Sequence, residues 1–237
     1  MQCYVGTSGY SYKEWLGRFY PPKHPANAML RYYAQHFNTV EINNTFYRMP
    51  GEGMLARWRE EVPVAFSFTL KAPRRITHDK RLRDAGVEVA EFLRRASALG
   101  DKFGAAFFQL PPSMRKDVAL LADFLGILPS DTRAAFEFRH RSWHDDDVYE
   151  TLRARGAALC ISDTDEGETP FAVTSPCGYF RLRRTEYEDS ALESWITRIA
   201  KAGYHTAYVY FKHEDEARGP DFARRFLALS RTADGTT

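Results

Sequence analysis

Eight short clusters of apolar, β-branched and aromatic residues recur along the chain, and this repetition limits the fold more than any other feature. Most neighbouring clusters are separated by enough residues for one helix, and the intervening segments carry helical periodicity. The predicted strands are Cys3–Thr7, Thr39–Thr45, Ala65–Lys71, Ala105–Leu110, Ala134–Arg139, Ala158–Asp163, Tyr179–Arg183 and Thr206–Lys212. Because strands that alternate with helices form parallel sheets with right-handed crossovers, the sequence predicts an α/β fold.

The closed form of such a sheet, a (β/α)8 TIM barrel, fits the chain better than an open doubly wound sheet. The length of 237 residues is close to that of a single α/β barrel. An open sheet usually carries a Gly-rich phosphate turn after its first strand, and Gly6-Thr7-Ser8-Gly9 matches neither known phosphate motif. Residues 165–178 are polar and turn-rich, so we expect an irregular sixth unit. We predict one barrel domain over residues 1–231 and a polar, disordered tail over 232–237.

Composition and charge exclude several classes of protein. The net charge of +2 does not favour a general nucleic-acid binder, and no apolar run is long enough to cross a bilayer. The first residues lack the basic start and apolar stretch of a signal peptide, and the three cysteines form no Cys-x-x-Cys pair. We therefore expect a cytoplasmic protein without a disulfide framework and without a membrane partner. No pattern in the chain indicates an oligomeric state.

Polar side chains gather at the carboxyl ends of the predicted strands, where barrel enzymes carry their active sites. Side chains alternate between lumen and helix layer along each strand, so these positions predict a polar barrel mouth. The candidates are Glu41, Asn43, Lys71, Gln109, Glu137, Arg139, Asp163, Arg181, Arg183 and Lys212. Buried charges either pair with each other or face a solvated pocket, so the alternative is a salt-bridge network that serves only stability.

Cations outnumber carboxylates among these candidates, and the excess predicts an anionic ligand. Glu41 and Glu137 are the candidates for acid–base chemistry, with neighbouring cations favouring the ionised form. Lys71 or Lys212 could instead form a Schiff base if burial lowers the pKa of the amine. The histidines show no spacing typical of a metal site, so we predict neither a metal nor another cofactor.

Aromatic residues form a second pattern near the predicted mouth. Five of them crowd the first loop, among them Tyr10 and Trp15, and Phe46 and Tyr47 follow the second strand. They form either a packed lid over the mouth or a platform on which sugar rings or bases stack.

Several motifs together resemble one known family, the YecE-like proteins that carry domain of unknown function 72. The matching segments are Gly6-Thr7-Ser8-Gly9-Tyr10 with Trp15 and Phe19-Tyr20-Pro21, Val40-Glu41-Ile42-Asn43 with Thr45-Phe46-Tyr47, Lys71-Ala72 with Ile76-Thr77-His78, Phe108-Gln109-Leu110-Pro111-Pro112, Glu137-Phe138-Arg139-His140 with Ser142-Trp143, and Tyr210-Phe211-Lys212. The resemblance implies a TIM barrel and adds His78 and His140 as pocket residues, but it implies no reaction. Many members resemble Arg-x-His-Gly in the seventh strand, where this chain has Arg181-Leu182-Arg183-Arg184.

Three functions stay open at this point. The first is an enzyme or binder for a small anionic ligand, phosphorylated or sugar-like, that needs no metal. The second is nucleic-acid binding or repair, since the fold is similar to that of barrel endonucleases. The third is a barrel without catalytic activity that serves as an interaction partner.

Overall fold

The computed structural model describes residues 1–212 and 217–234, which fold into nine strands and seven α-helices. The strands are β1 (Gln2–Ser8), β2 (Thr39–Ile42), β3 (Ser67–Lys71), β4 (Phe103–Gln109), β5 (Ala134–Glu137), β6 (Ala158–Thr164), β7 (Gly167–Glu168), β8 (Cys177–Leu182) and β9 (Thr206–Phe211). The helices are α1 (Met29–Tyr33), α2 (Glu52–Glu61), α3 (Gly86–Ala96), α4 (Val118–Ile127), α5 (Asp146–Arg155), α6 (Asp189–Lys201) and α7 (Arg218–Asp234).

Eight of the strands close into a parallel barrel. The hydrogen-bonded order is β5-β4-β3-β2-β1-β9-β8-β6, and an additional pairing between β5 and β6 joins the two ends. Each crossover helix buries one apolar face on the sheet, as α6 does with Leu192, Trp195 and Ile199. The predicted (β/α)8 TIM barrel is confirmed. No helix within 1–212 or 217–234 is long and apolar enough to cross a membrane.

The irregular sixth unit is also confirmed. Within the described chain, no helix lies between β6 and β8, and the connection instead contains the two-residue strand β7, which pairs antiparallel with β6. The last helix, α7, continues to Asp234 and so includes residues 232–234 of the predicted tail. Residues 235–237 lie outside the described ranges.

Two strands end more than one residue earlier than the sequence predicts, and each early end affects the mouth. The strand predicted to reach Thr45 stops at Ile42, because the Thr45 hydroxyl donates to the carbonyl oxygens of Ile42 (2.9 Å) and Lys71 (2.6 Å) and holds a 3₁₀ turn. The strand predicted to reach Arg139 stops at Glu137. The residues after these ends therefore belong to loops at the rim of the barrel.

Aromatic rings fill the lumen below the mouth. Tyr4 stacks on Tyr208 with ring centroids 4.9 Å apart, and Phe107 stacks on Tyr179 at 5.1 Å. The hydroxyl of the buried Tyr210 is hydrogen-bonded to threonine hydroxyls of β2 and β3, both at 2.8 Å. The lumen is thus a packed core, and only its upper layer at the carboxyl ends of the strands is charged.

Candidate ligand-binding site at the barrel mouth

A buried arginine between two buried glutamates forms the floor of the mouth. Arg181 on β8 donates from Nη2 to Glu41 Oε1 (3.0 Å) and from Nη1 to Glu137 Oε2 (2.6 Å). The three side chains are at most 4% exposed. The guanidinium carbon also lies 4.9 Å from the centroid of the Phe107 ring. Because the three strands carry these residues at lumen-facing positions, the barrel itself brings the charges together.

Every carboxylate oxygen of Glu41 accepts at least one hydrogen bond. Oε1 accepts from Arg181, from Asn43 Nδ2 at 3.1 Å and from the Ser8 hydroxyl, while Oε2 accepts from the Tyr179 hydroxyl at 2.6 Å. Burial alone would raise the pKa of Glu41, but the Arg181 charge and these donors hold it below its ordinary value.

The pKa of Glu137 is lowered in the same way, and this residue is the first member of a chain of hydrogen bonds that leads toward solvent. Burial would raise its pKa, but the charges of Arg181 and Arg183 lower it to about 2. Its Oε1 accepts from Gln109 Nε2 at 2.8 Å, and Gln109 Oε1 in turn accepts from Lys71 Nζ at 2.8 Å. The neighbouring cations therefore favour the ionised form of both glutamates, as the sequence predicts, while hydrogen bonds and ion pairs already engage their carboxylate oxygens.

Lys71 is the charged group that links this floor to the open mouth. It ends β3, is partly buried, and places its Nζ 4.3 Å from the centroid of the Phe46 ring. Burial and the nearby Arg181 and Lys212 charges lower the pKa of the amine to about 8, although Glu41 and Glu137 act in the opposite direction. Burial is therefore the main cause of the lowered pKa, and the amine has charges of both signs near it.

The rim above Lys71 carries further basic side chains. Arg183 and Lys212 are partly buried at the ends of β8 and β9, with Arg183 Nη1 3.6 Å from Glu137 Oε1, and Arg139 is exposed. His78 lies in a π-helical turn, Arg75–Asp79, and its ring packs edge-on against Phe46. Burial and the Lys71 charge lower the pKa of His78.

Two predicted residues do not join the buried cluster. Asp163 is fully buried but points into the helix layer, where it accepts from Arg184 Nε (2.7 Å), the Tyr187 hydroxyl (3.0 Å) and Trp195 Nε1 (3.1 Å). Trp195 belongs to the crossover helix α6, so Asp163 does not face the mouth as the sequence predicts. His140 lies beyond β5 and caps a 3₁₀ turn, with its Nδ1 2.8 Å from the Ser142 hydroxyl.

The aromatic residues of the first loop divide into two groups. Trp15 is 1% exposed, so it belongs to the core rather than to a platform. Tyr10 and Tyr47 instead line a cavity of about 830 Å³ beside the mouth, together with Asn43 and Trp58. Burial raises the pKa of Tyr10 to about 12, whereas Tyr47 is 81% exposed.

Sequence reasoning missed two residues that complete the floor, Ser8 and Tyr179. Both lie on strands and face the lumen, and the alternation rule finds them once it is applied to hydroxyl groups as well as charges. Within the described ranges, no group of three or more His, Cys, Asp or Glu residues is placed to hold a metal ion.

Fold and site together define a TIM barrel with a buried arginine–glutamate floor and a basic rim. The chain belongs to the family described as "Protein of unknown function DUF72", whose sequence model matches residues 4–236. The resemblance to the YecE-like proteins is therefore confirmed.

Relatives from three bacteria show how far the similarity extends. The chain is 34% identical to the UPF0759 protein YecE of Escherichia coli K12 over 138 residues, which cover 58% of this chain and 48% of YecE. It is 27% identical to the UPF0759 protein YunF of Bacillus subtilis over 70% of this chain and 64% of YunF. The matches thus span about half to two thirds of these relatives. A DUF72 family crystal structure from Thermotoga maritima superposes with a TM-score of 0.86 at 26% identity, over 98% of this chain and all of that one.

Proposed function

We propose that the barrel mouth binds a small anionic ligand, phosphorylated or sugar-like, and that Lys71 is the central group of this site. In this proposal Lys71 also replaces Glu41 and Glu137 as the candidate for proton transfer, and the protein acts as a metal-independent enzyme or binder. In this proposal the protein acts in the cytoplasm, a setting that the cysteine usage of the chain favours.

The surroundings of Lys71 carry the proposal. Among the residues in 1–212 and 217–234, no carboxylate lies within ion-pair distance of Lys71 Nζ, which contacts a neutral amide and an aromatic ring. A partly buried ammonium group without a carboxylate in contact favours an incoming anion, because the anion would supply an ion pair and offset the repulsion from Arg181 and Lys212. Arg139 at the rim would add to the attraction without being buried.

Sulfate is the sharpest probe of this site, because its charge does not change between pH 6 and pH 9. Titration calorimetry at low ionic strength should detect sulfate binding that weakens as the pH rises through about 8, where Lys71 loses its proton. Lys71→Met should weaken binding by about ten-fold or more, as expected for the loss of a hydrogen bond to a charged group, and should remove this pH dependence.

The matched control is Lys201→Met, because Lys201 is an exposed lysine at the end of α6, at the opposite end of the barrel. This variant should bind sulfate as the unaltered protein does. Absence of sulfate binding at low ionic strength, or equal binding by the Lys71 and Lys201 variants, would refute the proposal.

The cavity beside the mouth favours a second candidate function, the binding of single-stranded nucleic acid. Tyr47 is 81% exposed, and Arg48 and Arg95 line the same cavity, so a base could stack while its phosphate contacts an arginine. Fluorescence titration with a short oligonucleotide should then give an affinity that falls steeply with salt, and Tyr47→Ala should weaken it. No binding at low ionic strength would exclude this function.

A further inference from the structure

The Lys71 amine is held in a geometry that suits attack on a carbonyl group. Its Nζ lies 2.8 Å from Gln109 Oε1 and 4.3 Å from the centroid of the Phe46 ring. Both neighbours are neutral, so neither stabilises the ammonium form as a carboxylate would. The side chain is partly exposed at the end of β3, where the mouth opens to solvent.

Gln109 is fixed with its oxygen toward Lys71. A carboxylate only accepts hydrogen bonds, so the 2.8 Å contact with Glu137 Oε1 requires the Gln109 nitrogen on that side. Arg181 holds Glu137 in place from below. Gln109 Oε1 can therefore accept one N–H of Lys71 whether the amine is charged or neutral, and the lone pair of the neutral amine stays available.

We propose that Lys71 forms a reversible imine with a small aldehyde or ketone that carries a negative group, and that the basic rim binds this group. The inference rests on the anion site proposed above and specifies its ligand as an anionic carbonyl compound. The lone pair of the neutral amine forms a bond to the carbonyl carbon as the π bond of the carbonyl breaks, and one N–H proton passes through solvent to the oxygen. The nitrogen lone pair then forms the C=N bond as the C–OH bond breaks, and the oxygen leaves as water with the second N–H proton, so no oxidant or reductant is needed.

The amine is neutral often enough for this reaction. Burial lowers the pKa of Lys71 to about 8, so about one-tenth of the side chains are unprotonated at pH 7. The comparison with Lys102 explains why burial alone is not sufficient for imine formation. Burial also lowers its pKa, but its Nζ donates to the carbonyl oxygens of Arg59 (2.6 Å) and Val62 (2.7 Å), and the side chain is only 7% exposed. Lys102 therefore serves as an internal control.

Trapping with sodium cyanoborohydride tests the imine directly. The protein would be incubated at pH 7 with glyoxylate, a small anionic aldehyde, and in parallel with glycolaldehyde, a neutral aldehyde of similar size. Peptide mass spectrometry should find the reduced glyoxylate adduct on Lys71 at least ten-fold above that on Lys102 or Lys201. Glycolaldehyde should show a smaller preference, and added sulfate should suppress the glyoxylate adduct on Lys71.

Two variants make the outcome decisive. Lys71→Arg removes the amine and should lower the total glyoxylate trapped per protein molecule, while the labelling of Lys102 and Lys201 stays as in the unaltered protein. Gln109→Met keeps the amine but removes the oxygen that orients it, and should reduce trapping on Lys71 several-fold at every pH. Circular dichroism would confirm that both variants are folded.

The result that overturns the inference is labelling spread evenly over the lysines, or glyoxylate trapping on Lys71 unchanged by Gln109→Met at every pH. If sulfate still binds in the pH-dependent way described above, only the imine fails. If sulfate does not bind either, the anion site itself fails.

Discussion

Removing Arg181 should destabilise the protein strongly, and the structure sets the size of the effect. Arg181→Met leaves the carboxylates of Glu41 and Glu137 buried, 0% and 4% exposed, without their shared cation. Breaking a buried ion pair from one side typically costs about 3–5 kcal/mol. Each carboxylate that is left without its cation can instead become protonated. Protonation costs about 1.4 kcal/mol for each pH unit above the unfolded-state pKa of about 4.3. The electrostatic destabilisation from the two carboxylates together therefore cannot exceed about 7 kcal/mol at pH 7 and about 2 kcal/mol at pH 5.

The pH dependence that the two glutamates give to stability should have opposite signs in the unaltered protein and in Arg181→Met. In the unaltered protein both pKa values are lowered on folding, that of Glu137 to about 2, so their stabilisation is present above about pH 4.3 and is lost as the pH falls toward 2. In Arg181→Met, burial without the cation raises both pKa values. Their contribution is then present below about pH 4.3 and is lost as the pH rises through the raised values.

Urea unfolding at pH 5 and pH 7, followed by circular dichroism, measures both effects. Each kcal/mol should also lower the Tm by about 2–4 °C for a chain of this size. The matched control is Arg59→Met, because Arg59 pairs with Asp101 at 3.4 Å with both side chains about half exposed or more. Such a surface pair contributes about 1 kcal/mol or less at either pH. If Arg181→Met loses less than about 1 kcal/mol at pH 7, or loses equally at both pH values, the floor is not an ion cluster.

Two further substitutions test the packing around the site. Gly6→Ala should lower the free energy of unfolding by at least about 2 kcal/mol, because the new methyl carbon would lie 2.0 Å from the backbone oxygen of Thr39. Gly53→Ala, in open space on α2, should instead be neutral or stabilising by up to about 1 kcal/mol, and equal effects would contradict the argument. Asp163→Asn should cost about 1–3 kcal/mol, since its amide would face donors from the helix layer, yet leave sulfate affinity unchanged. Weaker sulfate binding by Asp163→Asn in calorimetry would instead indicate that this residue belongs to the barrel mouth.

The sequence predicts the barrel well because the hydrophobic pattern of each strand is local. Eight clusters, their spacing and the missing sixth helix are all visible in the chain, and the alternation rule correctly places Glu41, Glu137 and Arg181 in one lumen. Strand ends are predicted less well. The early end of β2 depends on a Thr45 hydroxyl that bonds to the backbone of β3, a contact between segments that are distant in sequence.

The roles of the charged residues could not be read from the sequence, because they depend on which charges meet. Counting signs predicts a basic mouth, but it cannot show that a single arginine lies between both glutamates and leaves them ionised and saturated. Asp163 shows a related limit. Its position at the end of a strand does not by itself decide which side of the sheet the side chain faces.

The arrangement of the floor bears directly on the proposed role of Lys71. Arg181 offsets one of the two glutamate charges, and its own charge lowers the pKa of Lys71 while the two glutamates raise it. The Gln109 amide lies between Lys71 and Glu137. It orients the Lys71 amine but carries no negative charge itself. If Lys71 contacted Glu137 directly, the ion pair would raise the amine pKa and keep it protonated at neutral pH. In the proposed site, the amide between them is therefore the feature that would leave Lys71 able both to attract an anion and to react as an amine.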